Sequence, residues 1–174
     1  MIWRQKINQG MEAVEKAREQ GGKYTYDADR AFSEAFEIAR NMKDCEGMVS
    51  AGLGFNSLAD LQGGAYTHKA DRVFFEARSL TNSEKSWRCY LSIGMGYLRL
   101  AELQSGGTYT HKAADAFDSA FRLARDASSL QGCNDVASAF EQLARMQEGG
   151  KYSYKAAECR AEASRIFERL HNPR

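Results

Sequence analysis

His68 and His111 are the residues of this chain best suited to metal or acid–base chemistry, and they stand at matching positions of two similar segments, GGAYTHKA and GGTYTHKA. Imidazole titrates near neutral pH and is the commonest metal ligand. Equivalent residues of stacked helical segments lie at least the ~8–10 Å apart that separates packed helix axes, whereas zinc ligands sit at roughly 2 Å from the ion. The pair is therefore not expected to share a metal. Cys45, Cys89, Cys133 and Cys159 form no CxxC pair, and the expectation is four buried or idle reduced thiols. The glycine pairs Gly52–Gly54 and Gly94–Gly96 sit inside helical patterns without the third glycine or lysine of a phosphate loop. They predict close approach of adjacent helix backbones, with Ala137 and Ala139 continuing the column. No Ser/His/Asp, Cys/His or carboxylate constellation stands out. Hence no catalytic residue, metal or cofactor is expected, and the chain is not read as an enzyme.

What carries these residues is a repeat. GGKYTYDADRAFSEA begins at Gly21, GGAYTHKADRVFFEA at Gly63, GGTYTHKAADAFDSA at Gly106 and GGKYSYKAAECRAEA at Gly149, at intervals of 42, 43 and 43 residues. A fixed period of that length marks stacked supersecondary units. Within each copy, the paired glycines suit the left-handed end of one helix, and Thr25, Thr67, Thr110 and Ser153 are the expected N-caps of the next. Downstream, Ala28, Phe32, Ala35 and Ile38 form one helical stripe, as do Ala70, Phe74, Ala77 and Leu80 and then Ala113, Phe117, Ala120 and Leu123. The fourth copy has Arg160 in the phenylalanine column, as an end unit with a polar outer face would. Upstream, Phe55, Leu58 and Ala59 correspond to Tyr97, Leu100 and Ala101 and to Phe140, Leu143 and Ala144, with Gln20, Gln62, Gln104 and Gln147 closing the four first helices.

The chain thus reads as a single all-α domain of eight helices in four antiparallel pairs, in repeats of about 2–42, 45–81, 84–128 and 132–170. The helices are expected near 2–19, 26–42, 45–62, 68–81, 84–104, 111–128, 132–147 and 154–170. Polar loops are expected near Lys43–Glu46, Thr81–Lys85 and Ser128–Gly132, with Thr81, Asn82 and Ser83 available as caps.

With 43% apolar and 27% charged residues the chain can bury a continuous core, and its net charge of +1 gives no field to draw it to nucleic acid or an anionic membrane. No run approaches the roughly 18 apolar residues of a membrane span, and MIWRQKINQG lacks the apolar run of a signal peptide. A cytoplasmic protein is expected.

The columns Tyr97-x-x-Leu100-Ala101 and Ala113-x3-Phe117-x2-Ala120 resemble the tetratricopeptide repeat, whose 34-residue motif has the same order and the same interval between its halves. Glutamine stands where that family has a tyrosine, and the closing proline is absent. The resemblance implies an α-α superhelix, a right-handed solenoid whose first helices line a concave groove that docks a segment of a partner protein. The implied groove positions are Met11, Val14 and Arg18; Leu53, Asn56 and Asp60; Leu91, Met95, Leu98 and Glu102; and Glu141 with Arg145. The Lys/Arg/Asn clamp that holds acidic tails in that family is absent from these columns. The expected role is a protein–protein interaction module: adaptor, scaffold or chaperone-like. The rival is a structural repeat protein that associates with itself as a homo-oligomer, since Ile2, Trp3 and Ile7 at one end and Ile166, Phe167 and Leu170 at the other leave the caps incomplete.

Overall fold

The computed structural model describes residues 1–84, 86–104, 107–147 and 150–171, without the side chains of 81–84. Lys85, Gly106, Gly149 and Pro173 lie outside the described residues. Eight α-helices appear among those described: α1 (Ile2–Gln20), α2 (Lys23–Asn41), α3 (Cys45–Gln62), α4 (Ala65–Glu84), α5 (Trp87–Leu103), α6 (Gly107–Asp126), α7 (Leu130–Met146) and α8 (Lys151–His171). The chain divides into two compact units, Met1–Ser83 and Glu84–Arg174, each holding two repeats.

In the first unit α1 and α2 form an antiparallel hairpin, with Lys6 on Glu34 at 2.6 Å and Gly10 against Phe32. The second repeat stacks on it through Arg4 to Glu46 at 3.0 Å, Lys69 to Asp29 at 2.6 Å and Phe55 edge-on to Phe32 at 5.8 Å. In the second unit Lys155 reaches Asp118 at 3.0 Å and Phe140 meets Phe117 at 5.5 Å. Most of the expected stripe is the core: Ala28, Phe32, Ala35, Ala70, Phe74, Ala77, Ala113, Phe117 and Ala120 have no exposed surface, whereas Ile38, Leu80 and Leu123 are half-buried. Each buried phenylalanine contributes about 1.5–3 kcal/mol of transfer energy.

The repeated box works differently from the sequence expectation. The second helices start at Lys23, Ala65, Gly107 and Lys151, two or three residues before the hydroxyl column, so Thr25, Thr67, Thr110 and Ser153 are not N-caps. The three threonines are buried, and Gln62 donates from Nε2 to Thr25 Oγ1 at 3.0 Å. That bond ties the end of α3 to the start of α2, which gives Gln62 a purpose. The aromatics of the box stack on the first-helix rings, Tyr109 on Tyr97 and Tyr152 on Phe140. Lys112 lies over Tyr97 and Tyr109, both at 5.4 Å, and Lys69 lies over Phe55 and Tyr66.

Gly21 (φ 82, ψ −175) and Gly63 (φ 71, ψ −156) end α1 and α3 in a backbone region that is essentially reserved for glycine, farther from the ordinary wells than a left-handed helical residue. The α2–α3 and α6–α7 joints use non-glycine residues at positive φ, Lys43 (54°) and Ser128 (49°). There the amides of Asp44 and Ser129 bond back to Ala39 and Ala124 at 2.9 and 2.8 Å, closing a Schellman turn. The same two residues then cap the next helix, accepting from the amides of Gly47 and Gly132. The expected loop at 81–85 is mostly helix, since α4 runs to Glu84 and Ser86 caps α5.

Gly52, Gly54 and Gly94 make room for phenylalanine rings of the second helices. A Cβ on Gly52 would come within 2.5 Å of Phe74, one on Gly54 within 2.5 Å of Phe32, and those on Gly10 and Gly94 would also strike Phe32 and Phe117. Ala137 occurs in the repeat whose ring position is Arg160, where no ring needs the space.

Candidate interaction surface

The residues expected to line a groove fall into two classes. Val14, Asn56 and Leu98 are buried, at 0%, 3% and 3% exposure, and belong to the packing of the first helices. Glu141 ends that column half-buried and accepts from Arg160, Nε at 2.9 Å and Nη2 at 2.6 Å. The middle column is therefore not a groove. The reason is angular: residues three apart on a helix differ by nearly a full turn, and the difference is enough to move a row from the free face to the stacked one.

The remaining positions are on the surface. Met11 and Leu53 are 38% and 42% exposed. Arg18, Asp60, Glu102 and Arg145 are exposed, and Leu91 and Met95 are half-buried. Arg18 pairs with Glu15 at 2.9 Å and Glu102 with Arg99 at 2.6 Å, so the charges flanking the apolar row are held within their own helices.

The ends meet the expectation of incomplete apolar caps in part: Ile2, Phe167 and Leu170 are exposed, whereas Trp3 and Ile166 are buried. Trp3 is buried, with its indole N–H donating to Asp44 Oδ2 at 2.9 Å. The outer face of α1 carries Gln5, Gln9, Glu12 and Lys16, all exposed. The columns that these continue hold Gly47, Ala51, Gly54 and Leu58 in α3, all buried. At the other end α7 and α8 leave an open cleft of about 410 Å³ lined by Glu141, Ala144, Arg145, Ser153, Ala156 and Arg160. Phe167 (50% exposed) and Leu170 (64%) lie farther along α8, and His171 stacks on Phe167 at 4.0 Å.

The sequence reading missed a doubled period. AFSEAFEIAR, from Ala31, returns as AFDSAFRLAR, from Ala116, and Trp3 and Gly47 return as Trp87 and Gly132. In each unit the tryptophan and an alanine, Ala39 or Ala124, close on the glycine. Comparing alternate copies, not successive ones, would have revealed it.

Cys133 and Cys159 are free and buried. Burial pushes the Cys159 thiol up to about 12, with the neighbouring Cys133 adding to the effect, and burial likewise raises Cys133. Neither is a ready nucleophile. The expectation of four reduced thiols is met at these two residues and not at Cys45 or Cys89, which carry no free thiol. Among the described residues no group of three His, Cys, Asp or Glu is placed to hold a metal ion, and no helix is long and apolar enough to cross a membrane.

No family model matches the chain, and no curated protein matches it. Among solved structures the chain is similar to the DHF58 filament, with a TM-score of 0.66 at 15% identity over 97% of this chain and 94% of that one. It is similar to the de novo designed helical repeat protein DHR64, with a TM-score of 0.64 at 16% identity over 97% and 94%. The DHF119 filament gives 0.66 at 16% identity over 99% and 97%. At these identities the likeness is one of fold alone, and the chain has an all-helical repeat fold.

Proposed function

We propose that this is a structural helical-repeat protein that associates with further copies of itself. The observation that carries the reading is the open face of the last repeat. The cleft between α7 and α8 is the counterpart of the surface on α1 and α2 that α3 covers, and no described residue fills it. Solenoid ends that stay open favour stacking, and a net charge of +1 sets up no repulsion between copies. Proteins of the same fold include designed chains described as filaments. Sedimentation velocity of the full chain over a wide concentration range tests the reading: mass should rise with concentration, and a strict monomer throughout rejects it.

A second reading rests on a separate observation, the exposed Met11 and Leu53 side by side on α1 and α3. Under the tetratricopeptide-like interpretation these two would hold an apolar partner segment as an adaptor does. A monomer that captures a partner and loses it on Leu53→Glu would favour that reading.

A further inference from the structure

We infer that the second copy seats the outer face of its α1 in the cleft between α7 and α8, with its Glu12 against Arg160 and its Gln20 against Ser153. This rests on the self-association proposed above and gives it a surface and a register.

The register comes from how the repeats of one unit already join. On the α1/α2 hairpin, α3 places Gly54 on the ring of Phe32 and Gln62 on the hydroxyl of Thr25. In the last repeat, the column of Phe32 holds Arg160 and the column of Thr25 holds Ser153. In the first repeat, the column of Gly54 holds Glu12 and the column of Gln62 holds Gln20. A first repeat laid on a last repeat in the same way therefore meets a cation with an anion where the interior has a ring over a glycine. It also repeats the amide-to-hydroxyl pair unchanged. Both members of each pair are exposed in a single copy.

The site is prepared for a carboxylate. Glu141 holds the Arg160 guanidinium through Nε and Nη2, both on one oxygen, which leaves further N–H donors to face outward. Arginine can serve two carboxylates because its donors form a rigid fork. Arg145, on the same cleft wall, adds positive charge.

The joint is shallower than one inside a unit. Gln9 and Lys16 stand where α3 has Ala51 and Leu58, and Phe167 stands where α2 has Ala39. Ala39 lies so close to Gly47 that a Cβ on the glycine would be 2.6 Å from it, and Phe167 against Gln5 of the second copy cannot approach so far. The contact is thus polar, reversible and weakened by salt.

The test is sedimentation velocity on Glu12→Arg, on Arg160→Glu and on their equimolar mixture, beside the wild-type chain. Each variant alone should need about tenfold higher concentration to associate, because like charges then meet in the joint. The mixture should associate as the wild type does, with the two variants alternating, since both of its mixed end contacts pair opposite charges and only the contacts between like variants repel. Wild-type association with unchanged association of both variants overturns this inference and leaves self-association standing. Variants that fail both alone and mixed overturn the pairing. A wild-type chain that never associates removes both this inference and the reading beneath it. Circular dichroism checks folding, and Glu12→Gln with Arg160→Gln, each expected to weaken the wild-type contact, replaces any variant that does not fold.

Discussion

Gly54→Ala should destabilise the protein although it puts a better helix former into a helix. The methyl group would lie 2.5 Å from two carbons of the Phe32 ring. That ring cannot retreat, because Gly10 closes on its other side and the Phe55 edge stands 5.8 Å from its centre. Two effects oppose each other. Replacing glycine by alanine gains about 1 kcal/mol of backbone free energy in a helix. Overpacking a filled core costs about 1–3 kcal/mol, and a ring pinned on two sides takes the upper part of that range. The net loss is about 1–2 kcal/mol, which lowers the melting midpoint by roughly 2–8 °C for a chain of this size. Thermal and urea denaturation followed by far-ultraviolet circular dichroism measure it. Gly64→Ala is the control, since nothing lies within 4 Å of its added Cβ, and its effect should stay within about 0.5 kcal/mol. Phe32→Leu in the Gly54→Ala background should recover part of the loss, so the two changes should not add. A stabilised Gly54→Ala chain, or strict additivity with Phe32→Leu, would refute the pinned ring.

Leu53→Glu should leave helical content and melting nearly unchanged, whereas Leu98→Glu should unfold the second unit, because a carboxylate without a partner would replace a buried side chain. Equal tolerance at both sites would return Leu98 to the binding surface. Gln62→Ala should cost about 1–2 kcal/mol by removing the donor to the buried Thr25 hydroxyl. Adding Thr25→Val should make that deletion nearly silent, and an unchanged cost in the valine background would show that the bond is not the cause. For Cys159 the folded thiol is raised from 9.0 to about 12. Its contribution is complete below pH 9 and falls as pH rises toward 12, where the unfolded chain releases a proton that the folded chain keeps. Denaturation midpoints should therefore decline above pH 9 less steeply in Cys159→Ala than in the wild type. Alkylation of Cys133 and Cys159 at pH 8 should be slow unless denaturant is added, and fast labelling of the native chain would contradict their burial.

Elements and core were legible in the sequence because they obey local rules. The period of Phe32, Phe74 and Phe117 set the repeat, their spacing from the alanines set the helical face, and the glycines marked the turns. Each of these depends on residues within a few turns of one another, so the chain alone determined them. The hydroxyl column misled, because a threonine before a helical pattern is a good cap by itself and only the arrival of Gln62 from the next repeat makes it a packing residue. Glycines 52 and 54 likewise announce close approach without saying to what, and the Phe74 and Phe32 rings come from other helices. The groove failed at Val14, Asn56 and Leu98 for a related reason: which side of a first helix is free depends on the rotation at which the next helix packs. A shift of one helical position exchanges a binding row for a core row. The tertiary structure also decided Trp3, which the sequence left either folded back on the core or free to meet a partner, and which the Asp44 carboxylate, 41 residues away, holds inside. Local pattern determines which residues turn inward on a helix; only the stacking of one hairpin on another determines which of the remainder stay in water.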